Sequence, residues 1–157
     1  MNLETDEKGA AVKFPPPLVF LVIIIVMYGV EYVLPIGLGA SAVLKYVGIL
    51  VVVLGVLVVF LASRYFKHAE TNIEPWKPTT KIISSGIYGY SRNPIYLAFC
   101  LVQIGIALFL NSFWILISFM VSASLVYHIA IKKEERYLEK KFGEDYIRYK
   151  NKVRRWL

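Results

Sequence analysis

The chain has 157 residues, enough for one domain, and 57% of them are hydrophobic, above the roughly 45–50% typical of soluble domains. The net charge is +7, but residues 94–131 contain no Lys, Arg, Asp or Glu, and residues 132–157 contain ten Lys/Arg and five Asp/Glu. Basic segments beside apolar spans favour contact with anionic lipid headgroups over nucleic acid. The single cysteine, Cys100, excludes an internal disulfide and a CxxC metal site.

Four apolar runs alternate with polar segments. The runs cover residues 18–34, 42–64, 94–110 and 113–131, and each is close in length to the roughly 20 residues that cross a bilayer as a helix. We expect residues 1–13 to form a mobile tail and residues 14–157 to form a single domain. The predicted fold class is all-α, an integral membrane protein with about four transmembrane helices.

Shorter signals refine this fold. Gly48 and Gly55 lie seven residues apart on one face of the second run and predict a close helix approach. Only Asn111 and Ser112 separate the last two runs, which therefore form a predicted C-terminal helical hairpin. Its last helix is predicted to continue out of the membrane as an amphipathic helix over residues 132–149. The basic tail, residues 148–155, is predicted to contact lipid headgroups.

Charge placement predicts the orientation. Four spans put both termini and the polar segment 65–92 on one side, which then carries seventeen of the eighteen Lys/Arg; Lys45 falls on the other side. The positive-inside rule makes the basic side cytoplasmic. The expected location is the inner (plasma) membrane of a bacterium or archaeon, with both termini cytoplasmic.

Common catalytic motifs are absent from the sequence. It has no GxGxxG, P-loop, HExxH or GxSxG, and neither His68 nor His128 has metal-ligand spacing to another Cys or His. A metal site and a hydrolase are therefore disfavoured. Two polar clusters remain at the predicted cytoplasmic edge: Tyr88, Tyr90, Arg92, Asn93 and Tyr96, and the pair Glu134 and Glu135. Aromatic faces with carboxylates suit a positively charged ligand.

These clusters resemble a known family. Arg92-Asn93-Pro94-Ile95-Tyr96, with Glu134-Glu135-x-x-Leu138 and Phe142-Gly143-x-x-Tyr146 downstream, is similar to the integral-membrane methyltransferases related to isoprenylcysteine carboxyl methyltransferase, and more distantly to phospholipid N-methyltransferases. The resemblance covers roughly residues 67–155. It implies S-adenosylmethionine as cofactor and methyl transfer to a lipophilic acceptor that enters from the bilayer, without metal. The cofactor-binding residues it implies are Thr80, Lys81, Ile82, Ile83, Tyr88, Asn93, Pro94, Ile95, Tyr96 and Glu134.

Two residues are candidates for the chemistry. Arg92 is expected either to contact an anionic substrate group or to pair with Glu134 or Glu135. An amine or thiol acceptor must lose a proton, which Glu135 or His128 could receive. We therefore name Arg92 and Glu135 as the candidate catalytic residues.

The sequence departs from the family at two places. Eukaryotic members carry His where this chain has Asn93, and they carry an Arg about one turn before the paired glutamates, where this chain has Ala130 or Ile131. The acceptor is therefore open: a prenylcysteine-like carboxylate or another hydrophobic O, N or S nucleophile. The alternative functions are a membrane NADPH-dependent reductase of a sterol-like substrate, with Lys77, Lys81 and Arg92 near a 2′-phosphate, and a non-enzymatic membrane protein.

Overall fold

The computed structural model describes residues 9–39 and 41–157, and all of the helices and turns named within these ranges are helical elements joined by loops. The α-helices are α1 (Pro16–Val33), α2 (Ala42–His68), α3 (Pro94–Leu110), α4 (Phe113–Val126), α5 (Lys132–Phe142) and α6 (Glu144–Lys152). A 3₁₀ turn covers Gly86–Gly89, and a π-helical turn, Tyr127–Ile131, joins α4 to α5. The prediction of an all-α protein is confirmed.

Three helical stretches are long and apolar enough to cross a membrane. They are Pro16–Val33, Ala42–His68 and Phe113–Phe142, whereas the apolar helix Pro94–Leu110 is shorter, with 17 residues. Three spans therefore agree with the sequence-based expectation, and the fourth stays a prediction.

Of the predicted mobile tail, residues 1–8 lie outside the described residues. Further on, the Ala10 amide donates to the Pro75 carbonyl over 2.9 Å, and Val12 is buried.

The chain folds into two compact units. The polar unit comprises residues 9–15, Phe60–Pro94 and Tyr127–Leu157, and it includes the 3₁₀ turn, the π-helical turn, α5 and α6. The apolar unit comprises Pro16–Val59 and Ile95–Val126. The polar unit holds most of the residues that the sequence singles out for chemistry.

In the apolar unit, helices α2 and α3 approach each other through glycine. A Cβ atom added at Gly48 would lie 2.7 Å from the Gly105 carbonyl oxygen, and one added at Gly105 would lie 2.7 Å from the Gly48 oxygen. At Gly55 an added Cβ would lie 3.0 Å from the Ala98 carbonyl oxygen. The backbones pack directly because no side chain separates them, which confirms the close approach predicted from Gly48 and Gly55.

Polar contacts in the apolar unit fix its hairpin and its loop. The buried Gln103 side chain of α3 donates to the Ser118 hydroxyl of α4 over 2.7 Å. At the hairpin turn, Asn111 has a φ of +55° and accepts from the Leu38 amide over 3.0 Å. The Gln103–Ser118 bond thus joins α3 to α4 across the short Asn111–Ser112 turn.

Glu31 ties the end of α1 to the hairpin turn. One carboxylate oxygen accepts from the Ile36 amide over 3.0 Å, and the other accepts from the Ser112 hydroxyl over 2.6 Å. The Trp114 indole also donates to the Leu34 carbonyl over 2.8 Å. These bonds satisfy backbone groups of the short loop after α1, which would otherwise lack partners.

The predicted single helix over residues 132–149 is wrong in one respect, because the structure divides it at Gly143. This glycine has a φ of +53° and a ψ of −125°, a backbone conformation that residues with a Cβ rarely adopt, and its amide donates to the Glu139 carbonyl over 2.9 Å. The chain therefore forms two short helices, α5 and α6, on either side of this glycine. The π-helical turn Tyr127–Ile131 is a second departure from the regular helix expected there.

The glycine contact makes a stability prediction. Gly48→Ala would place its methyl group against the backbone of α3, so we expect a loss of about 1–3 kcal/mol in the free energy of unfolding. The matched control is Gly29→Ala in α1, where an added Cβ meets no atom within 4 Å among the described residues. Thermal unfolding of both variants in the same detergent measures the difference. Equal stability of the two variants would contradict the close approach.

Candidate functional site

The loop between α2 and α3 is organised by its own polar groups. The Thr80 amide donates to the Thr71 hydroxyl over 2.8 Å, and the Thr80 hydroxyl donates to the Glu70 carbonyl over 3.3 Å. The Thr79 amide donates to the Tyr137 hydroxyl of α5 over 3.2 Å. The side chains that follow are an exposed Lys81 and the half-buried pair Ile82 and Ile83. The Thr80 hydroxyl thus bonds within this loop.

The 3₁₀ turn places Tyr88 in an aromatic cluster. Gly86 has a φ of +58°, and a Cβ there would lie 1.9 Å from the Tyr65 hydroxyl, so only glycine fits this turn. The Tyr88 side chain is 5% exposed, with its ring centroid 5.6 Å from that of Phe66 and 6.3 Å from that of Tyr65. The Tyr149 hydroxyl of α6 donates to the Tyr88 carbonyl over 2.7 Å, which holds the turn against α6.

The Tyr88 hydroxyl is buried and has no hydrogen-bond partner in the described part of the chain. Burial raises the pKa of Tyr88, and the nearby Tyr149 and the Glu134 carboxylate raise it further. The group therefore stays a neutral donor beside a half-buried carboxylate. Buried polar groups are normally hydrogen-bonded, so this hydroxyl retains the capacity to donate to a further group.

Glu135 is the centre of an ion cluster. One of its oxygens lies 3.0 Å from Arg92 Nη1 and accepts from Arg155 Nε over 2.8 Å. Its other oxygen accepts from Arg155 Nη2 over 2.9 Å, so Arg155 binds the carboxylate with two parallel bonds. The side chains of Arg92 and Glu135 are 7% and 11% exposed. Of the two roles expected for Arg92, the structure shows the ion pair with Glu135.

Residues 153–155, which we call the C-terminal strap, lie along the Arg92–Asn93 turn. The Arg92 amide donates to the Arg154 carbonyl over 3.0 Å, and the Asn93 side-chain amide donates to the Arg155 carbonyl over 3.0 Å. The Ser91 hydroxyl also donates to the Arg155 carbonyl, over 3.4 Å. The Arg155 guanidinium lies 5.0 Å from the Tyr127 ring centroid.

Arg155 is therefore a residue of this site that the sequence did not reveal. We predicted headgroup contact for the whole basic tail, and for Arg155 the structure corrects this, because its guanidinium is committed to Glu135 and Tyr127. Nothing in the local sequence distinguishes Arg155 from Arg154, whose side chain is exposed. Only the fold of the strap separates the two.

The structure groups the predicted site residues unevenly. Arg92, Asn93 and Glu135 meet around the strap, and Tyr88 lies near Glu134. Pro94 is buried at the end of the polar unit, and Ile95 and Tyr96 begin the apolar unit in the first turn of α3. His128 is exposed on the π-helical turn, with its ring centroid 5.0 Å from that of Tyr127.

A surface cleft of about 640 Å³ lies beside the 3₁₀ turn. Its lining residues are Ser84, Gly86, Gly89, Tyr90, Asp145, Arg148, Tyr149, Lys152 and Val153. None of them belongs to the predicted cofactor set, although Gly86 and Tyr149 also contact the Tyr88 cluster. Within residues 9–39 and 41–157, no group of three or more His, Cys, Asp or Glu is placed to hold a metal ion.

Comparison with known proteins decides the family. The model of a family described as phospholipid methyltransferase matches residues 43–145, more than half of the chain. The chain belongs to the phospholipid methyltransferase family. The matched region includes Tyr88, Arg92, Glu134 and Glu135, and it ends before the C-terminal strap.

Two of the relatives that the chain matches are named as methyltransferases. The chain is 32% identical over 116 residues to a protein-S-isoprenylcysteine O-methyltransferase of Saccharomyces cerevisiae, covering 73% of this chain and 48% of that protein. It is 27% identical over 114 residues to the protein of the same name from Xenopus laevis, covering 70% of this chain and 39% of the relative. An uncharacterized protein of Haemophilus influenzae is 38% identical over 63 residues, 40% of this chain and all of the relative. The chain thus spans about half the length, or less, of the named relatives that it matches.

Removing the central carboxylate charge tests the ion cluster. Glu135→Gln leaves a buried Arg92 without its anionic partner, so we expect a loss of about 3–5 kcal/mol in the free energy of unfolding. The control is Asp145→Asn, which breaks the exposed pair between Asp145 and Arg148 and should cost about 1 kcal/mol or less. Denaturant unfolding in detergent measures both. A cost for Glu135→Gln no larger than that of the control would rule out a buried cluster.

The buried tyrosines predict a loss of stability at alkaline pH. Burial raises the pKa of Tyr146 to about 12 from 10.0, Glu135 raises it as well, and Arg92 opposes the rise. The stability from the neutral hydroxyl is thus complete below pH 10 and is lost as the pH rises to about 12. In thermal unfolding across this pH range, the Tyr146→Phe variant should lose less stability than the unmodified protein. The control variant, Tyr90→Phe at an exposed position, should lose as much stability as the unmodified protein. A parallel decline in all three proteins would refute this assignment.

Proposed function

We propose that the protein is a membrane methyltransferase that uses S-adenosylmethionine and methylates a lipophilic acceptor at the cytoplasmic face of the membrane. The observation that carries the proposal is the buried, unpartnered Tyr88 hydroxyl beside the Glu134 carboxylate. Both residues lie inside the region that the family model matches. The methyltransferase names of the relatives from yeast and Xenopus support the same activity.

The residues around Tyr88 fit such a cofactor. A sulfonium group is a cation, and the faces of Tyr65, Phe66 and Tyr88 with the Glu134 carboxylate provide an attractive environment for one. The Tyr88 hydroxyl supplies a donor that is buried and available. The residues proposed to hold the cofactor are Thr80, Lys81, Ile82, Ile83, Tyr88, Asn93, Pro94, Ile95, Tyr96 and Glu134.

The chemistry is methyl transfer. When bound, the cofactor would supply a sulfonium methyl group, whose carbon–sulfur bond breaks as a bond to the acceptor forms, leaving S-adenosylhomocysteine. The protein would mainly align the reactants and exclude water, and orientation alone can contribute up to about 7–11 kcal/mol. Of the two candidate catalytic residues, Arg92 would contact the acceptor in this scheme and Glu135 would position Arg92. Arg92 faces an anionic group of the acceptor, and Glu135 fixes the guanidinium in place through the 3.0 Å ion pair.

We propose an acceptor of the prenylcysteine-carboxylate type. The yeast and Xenopus relatives are named for such a substrate. A carboxylate is already a nucleophile and needs no general base, which suits a Glu135 whose two oxygens both face guanidinium groups. Ala130 and Ile131 are buried where the similar isoprenylcysteine methyltransferases carry an arginine. Other cationic side chains would therefore have to bind the carboxylate of the acceptor.

Membrane placement follows from the helices and the charge. The acceptor would enter from the bilayer, beside helices that are long and apolar enough to span it. The positive-inside rule supports the proposal that both termini and the basic loop are cytoplasmic, at an inner (plasma) membrane. The relatives with a named activity cited above are methyltransferases, and they give no support to the alternative function of an NADPH-dependent reductase.

Cofactor binding tests the proposal directly. Calorimetric titration of the full-length protein in detergent with S-adenosylhomocysteine should give a dissociation constant on the order of micromolar, and NADPH should not bind. Tyr88→Phe removes only the buried hydroxyl, and we expect it to weaken S-adenosylhomocysteine binding at least about tenfold, as should Glu134→Gln.

The matched control is Tyr90→Phe, two residues away and 80% exposed in the unmodified protein, which should bind as tightly as the wild type. Absence of S-adenosylhomocysteine binding by the wild-type protein would refute the proposed function. Equal binding by the Tyr88 and Tyr90 variants would refute the assigned cofactor contact.

A further inference from the structure

We propose that the C-terminal strap is part of the functional site and that Arg155 is a positioning residue for the reaction, acting through Glu135 and Arg92. This inference rests on the proposed function. The strap lies outside residues 43–145, the region shared with the family model, so the family match assigns it no role. The role comes from its contacts in this chain.

The backbone of the strap is attached to the motif that carries Arg92. Two successive carbonyls, those of Arg154 and Arg155, accept from the Arg92 amide and the Asn93 side chain, each over 3.0 Å. The Ser91 hydroxyl, which donates to the Arg155 carbonyl over 3.4 Å, also accepts from the Asn93 amide over 3.2 Å. The turn before α3 therefore has its main polar groups bonded to a segment some sixty residues later in the sequence.

The Arg155 side chain extends this attachment to the carboxylate. Its guanidinium forms two parallel bonds with Glu135, and the same guanidinium lies over the Tyr127 ring. The hydrogen bond to Glu135 raises the pKa of Arg155, so the group stays charged. Tyr127 begins the π-helical turn, and such turns are often found at functional sites. Arg155 is thus held between a carboxylate and an aromatic face.

Arg92 depends on this arrangement. Arg92 contacts Glu135 through a single 3.0 Å ion pair, whereas Arg155 fixes both oxygens of the same carboxylate. Loss of the Arg155 guanidinium would remove two of the three contacts that fix Glu135. Arg92, whose side chain otherwise bonds to Tyr146, would therefore lose a firmly held partner. Because a small misplacement of a reacting group slows chemistry strongly, the effect should fall on the rate of methyl transfer. Tyr88 is held by Phe66 and Tyr149 and makes no bond to Arg155, so cofactor binding should change little.

Three variants separate this role from a general loss of folding. Arg155→Ala removes the guanidinium and keeps the backbone carbonyl. Arg155→Lys keeps the charge but cannot form two parallel bonds with a carboxylate. Arg154→Ala is the matched control, because the neighbouring arginine contributes its carbonyl and exposes its side chain.

The measurements use the whole 157-residue chain in detergent. Each variant is assayed for the dissociation constant of S-adenosylhomocysteine, for kcat and KM, and for hydrogen exchange of the Arg92 amide without ligand. The acceptor is the compound that the wild-type protein methylates best among S-prenylated cysteine, lipophilic amines and lipophilic thiols. Hydrogen exchange reports the strap contact independently of activity.

For Arg155→Ala we expect kcat to fall at least about tenfold, with KM and the dissociation constant of S-adenosylhomocysteine within about twofold of wild type. The Arg92 amide should exchange faster. Arg155→Lys should give an intermediate kcat, and Arg154→Ala should match the wild type in every measurement. This pattern would support a positioning role.

Other results would overturn it. An Arg155→Ala variant with kcat within twofold of wild type would remove the positioning role and leave the proposed function intact. Parallel losses of kcat, S-adenosylhomocysteine binding and thermal stability would reduce Arg155 to a structural contact. A wild-type protein that neither binds S-adenosylhomocysteine nor methylates any of the acceptors would overturn the proposed function and the positioning role together.

Discussion

The ion cluster around the buried Glu135 carboxylate is the interaction on which the polar unit depends. The carboxylate lies between two guanidinium groups that come from distant parts of the sequence, one before α3 and one after α6. Desolvating a carboxylate is costly unless its oxygens are bonded, and here three nitrogen–oxygen contacts of 2.8–3.0 Å meet that need. The cluster thereby joins α5, the turn before α3 and the strap within one polar unit.

Tyr88 shows a second and different use of burial. Its ring is surrounded by other aromatic side chains and its carbonyl is bonded to Tyr149, yet its hydroxyl has no partner in the described ranges. Both carboxylate oxygens of Glu135 thus contact guanidinium groups, whereas the Tyr88 hydroxyl can still donate a hydrogen bond. In a protein of this family, the first arrangement suits holding a site in shape, and the second suits contact with a ligand.

Local sequence patterns predicted much of this fold. The apolar runs, the Asn111–Ser112 hairpin turn and the Gly48 and Gly55 contacts follow from composition and spacing over short distances. Pairing of Arg92 with Glu134 or Glu135 was one of the two roles expected for it, and the structure shows the pair with Glu135. The function and the site residues came from motif resemblance, and the site assignments remain predictions.

The features that the sequence did not predict share a cause. Arg155 and Arg154 are alike in local sequence, and only the path of the strap directs one of them to Glu135. The break at Gly143 depends on a positive φ, which a glycine permits but does not require. The cleft beside the 3₁₀ turn likewise depends on where α6 lies after that break. Tertiary placement decided each of these, and local composition could not.

The hydrogen bond from Ser112 to Glu31 has a consequence for biosynthesis. The two residues are 81 positions apart in the sequence. At roughly 5–20 residues per second, a ribosome adds Ser112 about 4–16 seconds after Glu31. During that delay the apolar helix α1 exists with a carboxylate whose hydroxyl donor has not yet been synthesised. Water or the insertion machinery must solvate this charge in the interval, so the end of α1 reaches its final bonding only when the later hairpin arrives.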